Sequence, residues 1–320
     1  MRKLQTAKSY AGRSTPKGLG RLEIARYRFL YLLALPAFLY FLVFHYVPLL
    51  GIVIAFKDYR AMGGVVGIIE AKWVGFRYFS MLFQSEYFWR LLRNTLWIST
   101  LRLVFEFPAP VLFALLLNEI YLHRFRRVVQ TITYLPHFLS WVVVAGLAIQ
   151  ILSPAGGPLN ALIEAFGGKP IAFVADPRYF RGVLVISGIW HELGWSSIIY
   201  LAAISNVPQE QYEAADIEGA TRLQRARYVT LPSIAFIVVL LLILRVGRLI
   251  NENFEQIFNL YSPAVYSVSD VFETYIYRRG LLESDFSYAT AVGIFKSVTS
   301  LILVMAANQV AKFLGQESLW

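Results

Sequence analysis

The chain has 320 residues, 57% of them hydrophobic and only 16% charged, with a mean hydropathy of +0.55; soluble domains carry about 25% charge, so this composition belongs to a membrane protein. Its net charge of +10 would point a soluble chain toward nucleic acid. Here the basic residues crowd the amino-terminal segment and the loops between apolar runs, which reads as membrane topology and leaves no nucleic-acid partner. Cysteine is absent, which excludes disulfide frameworks, thiolate metal sites and cysteine nucleophiles.

Residues 1–28 form a basic segment in which Glu23 is the lone acid, expected to be a mobile surface segment on the cytoplasmic side, with a short helix lying on anionic headgroups as the alternative. The apolar run from Phe29 to Phe56 far exceeds the roughly 7–15 residues of a signal-peptide core and is expected to be a retained first span. Crossing the hydrocarbon core takes about 20 mostly apolar residues. Six segments qualify: 29–56, 94–117, 131–152, 182–206, 233–250 and 289–311. An even count puts both termini in the cytoplasm. The expected organisation is a basic segment (1–28), a first span with its extracytoplasmic loop (29–93), an all-α transmembrane domain (94–313) and a tail (314–320).

The loops mostly agree with that orientation. Segment 118–130, with Arg124, Arg126 and Arg127, falls inside; the Gly- and Pro-rich 153–181 and the acidic 251–288 fall outside. Loop 57–93 is basic yet falls outside, against the rule. The fifth span has the least certain end, since its apolar run stops at Arg245 and Arg248 while helical patterning extends toward Phe258.

The second cytoplasmic loop, 207–232, contains "EAADIEGATRLQRARYVTLP" from Glu213. Pro208 suits a first helical position, and Glu210 and Glu213 favour a helix amino terminus. Gly219 takes the left-handed cap conformation without steric cost. Thr221 and Gln224 form a T-x-x-Q capping box that starts a second helix bearing Arg222, Arg225 and Arg227, and Pro232 closes the hairpin and opens span five. The spacing Glu213-Ala214-Ala215, Gly219, Val229, Leu231-Pro232 resembles the EAA loop of permease subunits in binding-protein-dependent ABC importers.

Further stretches resemble the oligosaccharide and polysaccharide branch of that family: "WVGFRYF" from Trp73, "RRVVQTITYLPHFLSWVVVAGL" from Arg126, "FEQIFNLYSP" from Phe254 and "YATAVGIFKSVTSLILVMAANQVAKFLG" from Tyr288. Within that branch the chain resembles the larger permease subunits of bacterial alginate importers. The resemblance implies a type I ABC importer transmembrane domain in a bacterial inner membrane, importing an oligo- or polysaccharide of acidic character. It also implies a sibling permease, two ATPase subunits that carry ATP and Mg, and an extracytoplasmic solute-binding protein, with no cofactor bound by this chain. By the same resemblance Glu213, Ala214, Ala215, Asp216, Gly219, Leu223, Arg225 and Tyr228 couple to the ATPase. Glu213 would meet a basic group there, the two alanines would allow close approach, and Gly219 would set the hairpin angle. Relatives often carry Phe where this chain has Ala226, so Leu223 or Tyr228 would supply the apolar contact instead.

Arginine or lysine at mid-bilayer costs roughly 2.5–3.5 kcal/mol, so charges inside spans should face protein or water. Arg102 has Glu106 one turn away as a neutralising partner. Arg245, Arg248 and Lys296, with Asn251 nearby, are expected to line a positive translocation path in which Trp190, Trp195 and Tyr200 stack on sugar rings. "HELGW" at His191 starts like a zinc-protease helix, but Trp195 stands where the second His is needed, so no metal is assigned. "SPAGGPLN" from Ser153 lacks the Lys-Ser or Lys-Thr of a nucleotide loop. Energy then comes from a partner or from an ion gradient. The competing class is an ion-coupled secondary transporter, which needs no docking hairpin; a third, an intramembrane glycan transferase, lacks acidic or His clusters of convincing spacing.

Overall fold

The computed structural model describes residues 27–60, 63–248 and 254–313. The order is α1 (Arg28–Phe56), β1 (Lys57–Asp58), α2 (Gly64–Glu70), β2 (Lys72–Trp73), α3 (Arg77–Gln84) and α4 (Glu86–Asn118), then α5 (His123–Phe138), α6 (Trp141–Ile151), α7 (Pro158–Ala165) and α8 (Pro177–Ser205). There follow α9 (Gln209–Ile217), α10 (Arg222–Ser233), α11 (Ala235–Arg248), α12 (Phe254–Leu260), α13 (Tyr266–Ser269), α14 (Phe272–Tyr277) and α15 (Phe286–Phe313). The chain divides between Val53 and Ile54 into two units. In the first, every residue from Arg28 to Leu50 is exposed; a helix apolar all round and unburied within its own chain is suited to lipid or to another subunit.

Among the described residues four helices are long and apolar enough to cross a membrane, and two bent pairs raise the number to six if each pair is one span. The bends depart from the straight spans expected at 131–152 and 233–250. Between α5 and α6 the axis turns by 105°. Pro136 closes α5 in a tight turn and the Ser140 hydroxyl accepts from the Val143 N–H to start α6, so capping chemistry breaks a run that looks uniformly apolar. Between α10 and α11 the turn is 66°, two residues after Pro232. The helix passes through Pro232 rather than starting there. Residues 249–253, where the end of the fifth span was in question, lie outside the described residues.

Three prolines share one local solution. Proline lacks an N–H and its ring clashes with the carbonyl four residues back. Two residues before Pro48, Pro108 and Pro232 a wide five-residue turn ends: Leu42–Tyr46, Arg102–Glu106 and Ala226–Thr230. In each the next N–H donates five residues back, from Val47 to Leu42, Phe107 to Arg102 and Leu231 to Ala226. The extra residue shifts the offended carbonyl aside and keeps the helix continuous.

Packing in the second unit forms three apolar clusters. One joins Leu82, Phe88 and Leu91 to Phe272 and Val292; a second joins Ile98, Phe180 and Leu184 to Ile257 and Leu260; a third joins Ala114 and Leu117 to Tyr200, Ile204 and Ile234. The second half of α4 lies along α8, and α11 along α15.

Two of the six basic residues in loop 57–93, Lys57 and Arg93, bond carbonyls of the protein itself. Lys57 is buried and its Nζ donates to the carbonyls of Ile68 (2.8 Å) and Ile69 (2.9 Å), at the negative end of α2. Arg93 donates to the Ser267 carbonyl at 3.3 Å. Those two bases therefore have a structural use whichever side of the membrane the loop faces. "SPAGGPLN" is likewise structural: buried Asn160 donates to the carbonyls of Leu152, Ser153 and Ile171 at 3.0–3.1 Å and accepts from the Ile171 N–H at 2.7 Å. A Cβ on Gly157 would meet the Ser153 carbonyl at 2.5 Å, so only glycine fits there.

Candidate functional site

The α9–α10 hairpin is built from the local signals in its sequence. Pro208 sits immediately before α9 rather than inside it. α9 ends with Ala220 N–H donating to Ala215 O (2.9 Å) and Gly219 N–H to Asp216 O (3.1 Å), with Gly219 at φ +73°. That is the paired-bond glycine terminus. The Thr221 N–H donates to Gln224 Oε1 at 2.7 Å and the Gln224 N–H to Thr221 Oγ1 at 3.4 Å, completing the capping box. Tyr212 and Thr230 hydroxyls meet at 3.0 Å and close the two arms on each other.

Arg225 fixes the hairpin to the end of α4. Its guanidinium donates to Glu119 (2.6 Å), Asp216 (2.7 Å) and the Tyr121 hydroxyl (3.2 Å), and its side chain is only 12% exposed. Hydrogen bonds to Tyr121 and Glu119 push its pKa above the usual guanidinium value, so the clamp stays charged. Arg222 adds a cation–π contact to Tyr121, 4.8 Å from the ring centre. Arg225 and Asp216, grouped by sequence with the outward coupling residues, are therefore turned to the hairpin's own base. Outward stand Ile217, Leu223 and Tyr228, at 86%, 79% and 67% exposure. Glu213 and Ala214 are exposed and Ala215 half-buried; Glu213 makes no side-chain hydrogen bond or ion pair among the described residues. Ala226 is half-buried at the start of the wide turn.

The second feature is a cavity of about 470 Å³ between α4, α8 and α11, lined among others by Glu106, Gly188, Glu192, Trp195, Tyr200 and Arg245. Arg102 is buried in α4, 3.5 Å from Glu106, and bonds Gln256 of α12. Gln256 in turn donates to the Leu184 carbonyl and the Ser187 hydroxyl, each at 2.8 Å. Arg245 reaches Glu106 Oε2 at 3.0 Å. Gly188 makes room for this network, since a Cβ there would stand 2.3 Å from Glu106 Oε1.

Beside the cavity two histidines converge on one carboxylate. His191 Nδ1 lies 2.8 Å and His137 Nδ1 3.2 Å from Glu192 Oε1, while His191 Nε2 donates to the Leu139 carbonyl at 3.1 Å. The rings are held flat by tryptophans: His137 stacks on Trp195 (4.6 Å, 4°) and His191 on Trp141 (4.3 Å, 29°).

Residues 106–317 match the family described as binding-protein-dependent transport system inner membrane component. This chain belongs to that family. The permease is 45% identical, over 93% of its length and 92% of the relative's, to the polygalacturonan/rhamnogalacturonan transport system permease protein YteP of Bacillus subtilis (strain 168). It is 44% identical to Protein LplB of the same organism over the same shares. Among solved structures, a bacterial ABC transporter involved in the import of the acidic polysaccharide alginate aligns at TM-score 0.84 with 42% identity, over 91% of this chain and 97% of that one. A second, a bacterial alginate ABC transporter in complex with an alginate pentasaccharide-bound periplasmic protein, aligns at 0.85 with 41% identity, over 93% and 99%. The chain is thus a sugar ABC importer permease with the all-α type I transmembrane architecture, a multi-pass membrane protein and a transport subunit.

Within the permease, the residues expected to make a positive path do not gather as one. Trp195, Tyr200 and Arg245 share the cavity, but so do Glu106 and Glu192, and Arg245 is paired with Glu106. Trp190 is half-exposed on α8 outside the lining. Lys296, which has no acid within a turn of its own helix, is bonded to Glu273 of α14. Asn251 and the Arg248 side chain lie outside the described residues. Sequence reading missed His137, 55 positions from Glu192: no local motif joins them, and only the packing of α5 on α8 brings the ring to that carboxylate.

Proposed function

We propose that this permease forms half of the translocation path for an acidic oligosaccharide, imported at the expense of ATP hydrolysed on partner subunits docked at the α9–α10 hairpin. The observation that carries this reading is the hairpin surface, in which exposed Glu213, Ile217, Leu223 and Tyr228 surround a base held rigid by Arg225. Exposed apolar side chains beside an unpaired carboxylate on a clamped element suit a protein cleft with a basic group. An ATPase dimer that closes around such an element can move α8 and α11, which flank it in the chain. This chain would then sit in a bacterial inner membrane with its termini in the cytoplasm, beside a sibling permease, two ATPases that carry ATP and Mg, and an extracytoplasmic solute-binding protein.

Support for an acidic substrate comes from the relatives, one named for polygalacturonan and rhamnogalacturonan and two neighbours for alginate. The cavity adds Trp195 for stacking on sugar rings and Arg245 for a carboxylate, with Glu106 as the partner from which a uronate would have to take it. Co-expression with genomic neighbours tests the coupling: an ATPase should co-purify with the wild type and be lost or functionally uncoupled in Glu213→Lys. If no ATPase co-purifies and Glu213→Lys transports normally, the reading fails. Vesicle uptake with paired neutral and uronate oligosaccharides tests the substrate, and equal uptake of both would remove the acidic assignment.

A further inference from the structure

We propose that His137, His191 and Glu192 form a binding site for a divalent ion of the zinc type, halfway along α8 and open to the cavity. His191 stands midway between Pro177 and Ser205, the ends of α8. One nitrogen of each ring and one carboxylate oxygen lie within 4.8 Å of one another.

The hydrogen bonding of His191 leaves a place for a metal ion. The Leu139 carbonyl can only accept, so the Nε2 that faces it at 3.1 Å carries the proton. In the neutral ring Nδ1 is then a lone pair, aimed at a carboxylate oxygen 2.8 Å away. Two acceptors hold that separation only with a proton or a metal ion between them. A metal satisfies both without protonating the ring, and the Leu139 contact is the outer-shell bond that metal-ligating histidines use to fix their tautomer.

Ligands about 2.0–2.1 Å from a tetrahedral zinc are roughly 3.3 Å apart; the two separations to Glu192 are 2.8 and 3.2 Å, and the two ring nitrogens, within 4.8 Å of each other, have to close to the same spacing when the ion binds. Two imidazoles and one carboxylate form a borderline donor set that favours zinc and its first-row neighbours over calcium or magnesium, which need mainly oxygen. Three protein ligands leave a coordination position for water or a passing oxygen ligand. Glu192 is 40% exposed and lines the cavity, which supplies an entry route. Stacking on Trp195 and Trp141 holds both rings in place. A bound ion would tie α8 to the break after α5.

The alternative is a proton shared between His191 Nδ1 and Glu192; metal binding distinguishes the two. The assembled transporter in lipid nanodiscs is stripped with chelator and titrated with Co²⁺, read by visible d–d absorption and by metal analysis. The wild type should bind one more Co²⁺ per permease than His191→Gln or the near-isosteric Glu192→Gln, with affinity at that site falling at least tenfold in each, and Zn²⁺ should displace it. His123→Gln, outside the cluster, should match the wild type. Equal uptake by wild type and by a folded Glu192→Gln transporter, or no uptake by the wild type, overturns the proposal in favour of the proton. Transport is not measured in this titration, so its outcome is independent of the substrate and coupling assignments.

Discussion

Replacing Arg225 with Ala removes the clamp between the hairpin and α4. The side chains of Arg225 and Glu119 are 12% and 14% exposed, so their bond at 2.6 Å is close to a buried pair; removing one partner of such a pair costs about 3–5 kcal/mol, because the other charge remains buried. The bond to Asp216 adds little, since Asp216 is 54% exposed and solvent-exposed pairs contribute about 0–1 kcal/mol. Glu119 also caps the negative end of α4, where an unpaired carboxylate is disfavoured. Allowing for partial solvent access at Glu119, roughly 2–4 kcal/mol is lost from hairpin docking, a 30- to 700-fold rise in the open population at about 1.4 kcal/mol per decade. Hydrogen exchange on the complete transporter reads this directly: amides of 209–233 should lose protection by about that factor while those of α8 keep theirs. Arg225→Lys should fall between, because an ammonium cannot reach three acceptors arranged around a planar fork. Unchanged exchange in Arg225→Ala would refute the clamp.

Gly194→Ala places a Cβ 2.2 Å from the Thr133 carbonyl of α5, a backbone clash expected to cost about 1–3 kcal/mol and to lower the melting temperature of the purified transporter. Gly182→Ala on the same helix meets nothing within 4 Å and should be neutral or stabilising by up to about 1 kcal/mol; the same loss in both would dissolve the packing argument. Lys296→Glu should impair assembly and Lys296→Glu with Glu273→Lys should restore it, since their bond joins α15 to α14; failure of the double exchange to improve on the single one would mean the pair does not carry the contact. Asp176 caps α8 and its carboxyl is held below the usual carboxylate range by the Arg178 side chain. A lowered folded pKa stabilises above the unfolded value of about 3.9 and is lost as pH falls through the folded one. The stability gap between wild type and Asp176→Ala should therefore shrink in acid, and a gap that grew there would contradict the assignment.

What the sequence disclosed is mainly local. The hairpin's capping box, its glycine terminus and the Arg102–Glu106 pair each involve residues within a few positions, where helix geometry alone decides who meets whom. The breaks after Pro136 and Pro232 were hidden because apolar periodicity runs straight across them, and only the competition between proline sterics and serine capping reveals the bend. Lys296 with Glu273, Arg225 with Glu119 and His137 with Glu192 join different helices, and no spacing rule relates them. The expected positive path suffered most from this. Spacing relates its bases only to neighbours along their own helices, whereas those described, Arg245 and Lys296, find acids across the bundle.

The account rests on ATP-driven transport coupled through the hairpin. Its most direct measurement is uptake of a labelled uronate oligosaccharide into proteoliposomes holding the complete transporter, with its binding protein outside, ATP trapped inside and no ion gradient. Uptake should require ATP and be lost in Glu213→Lys while the permease still folds and inserts. Uptake that persists without ATP and follows an imposed ion gradient, unaffected by Glu213→Lys, would contradict it and favour a secondary transporter.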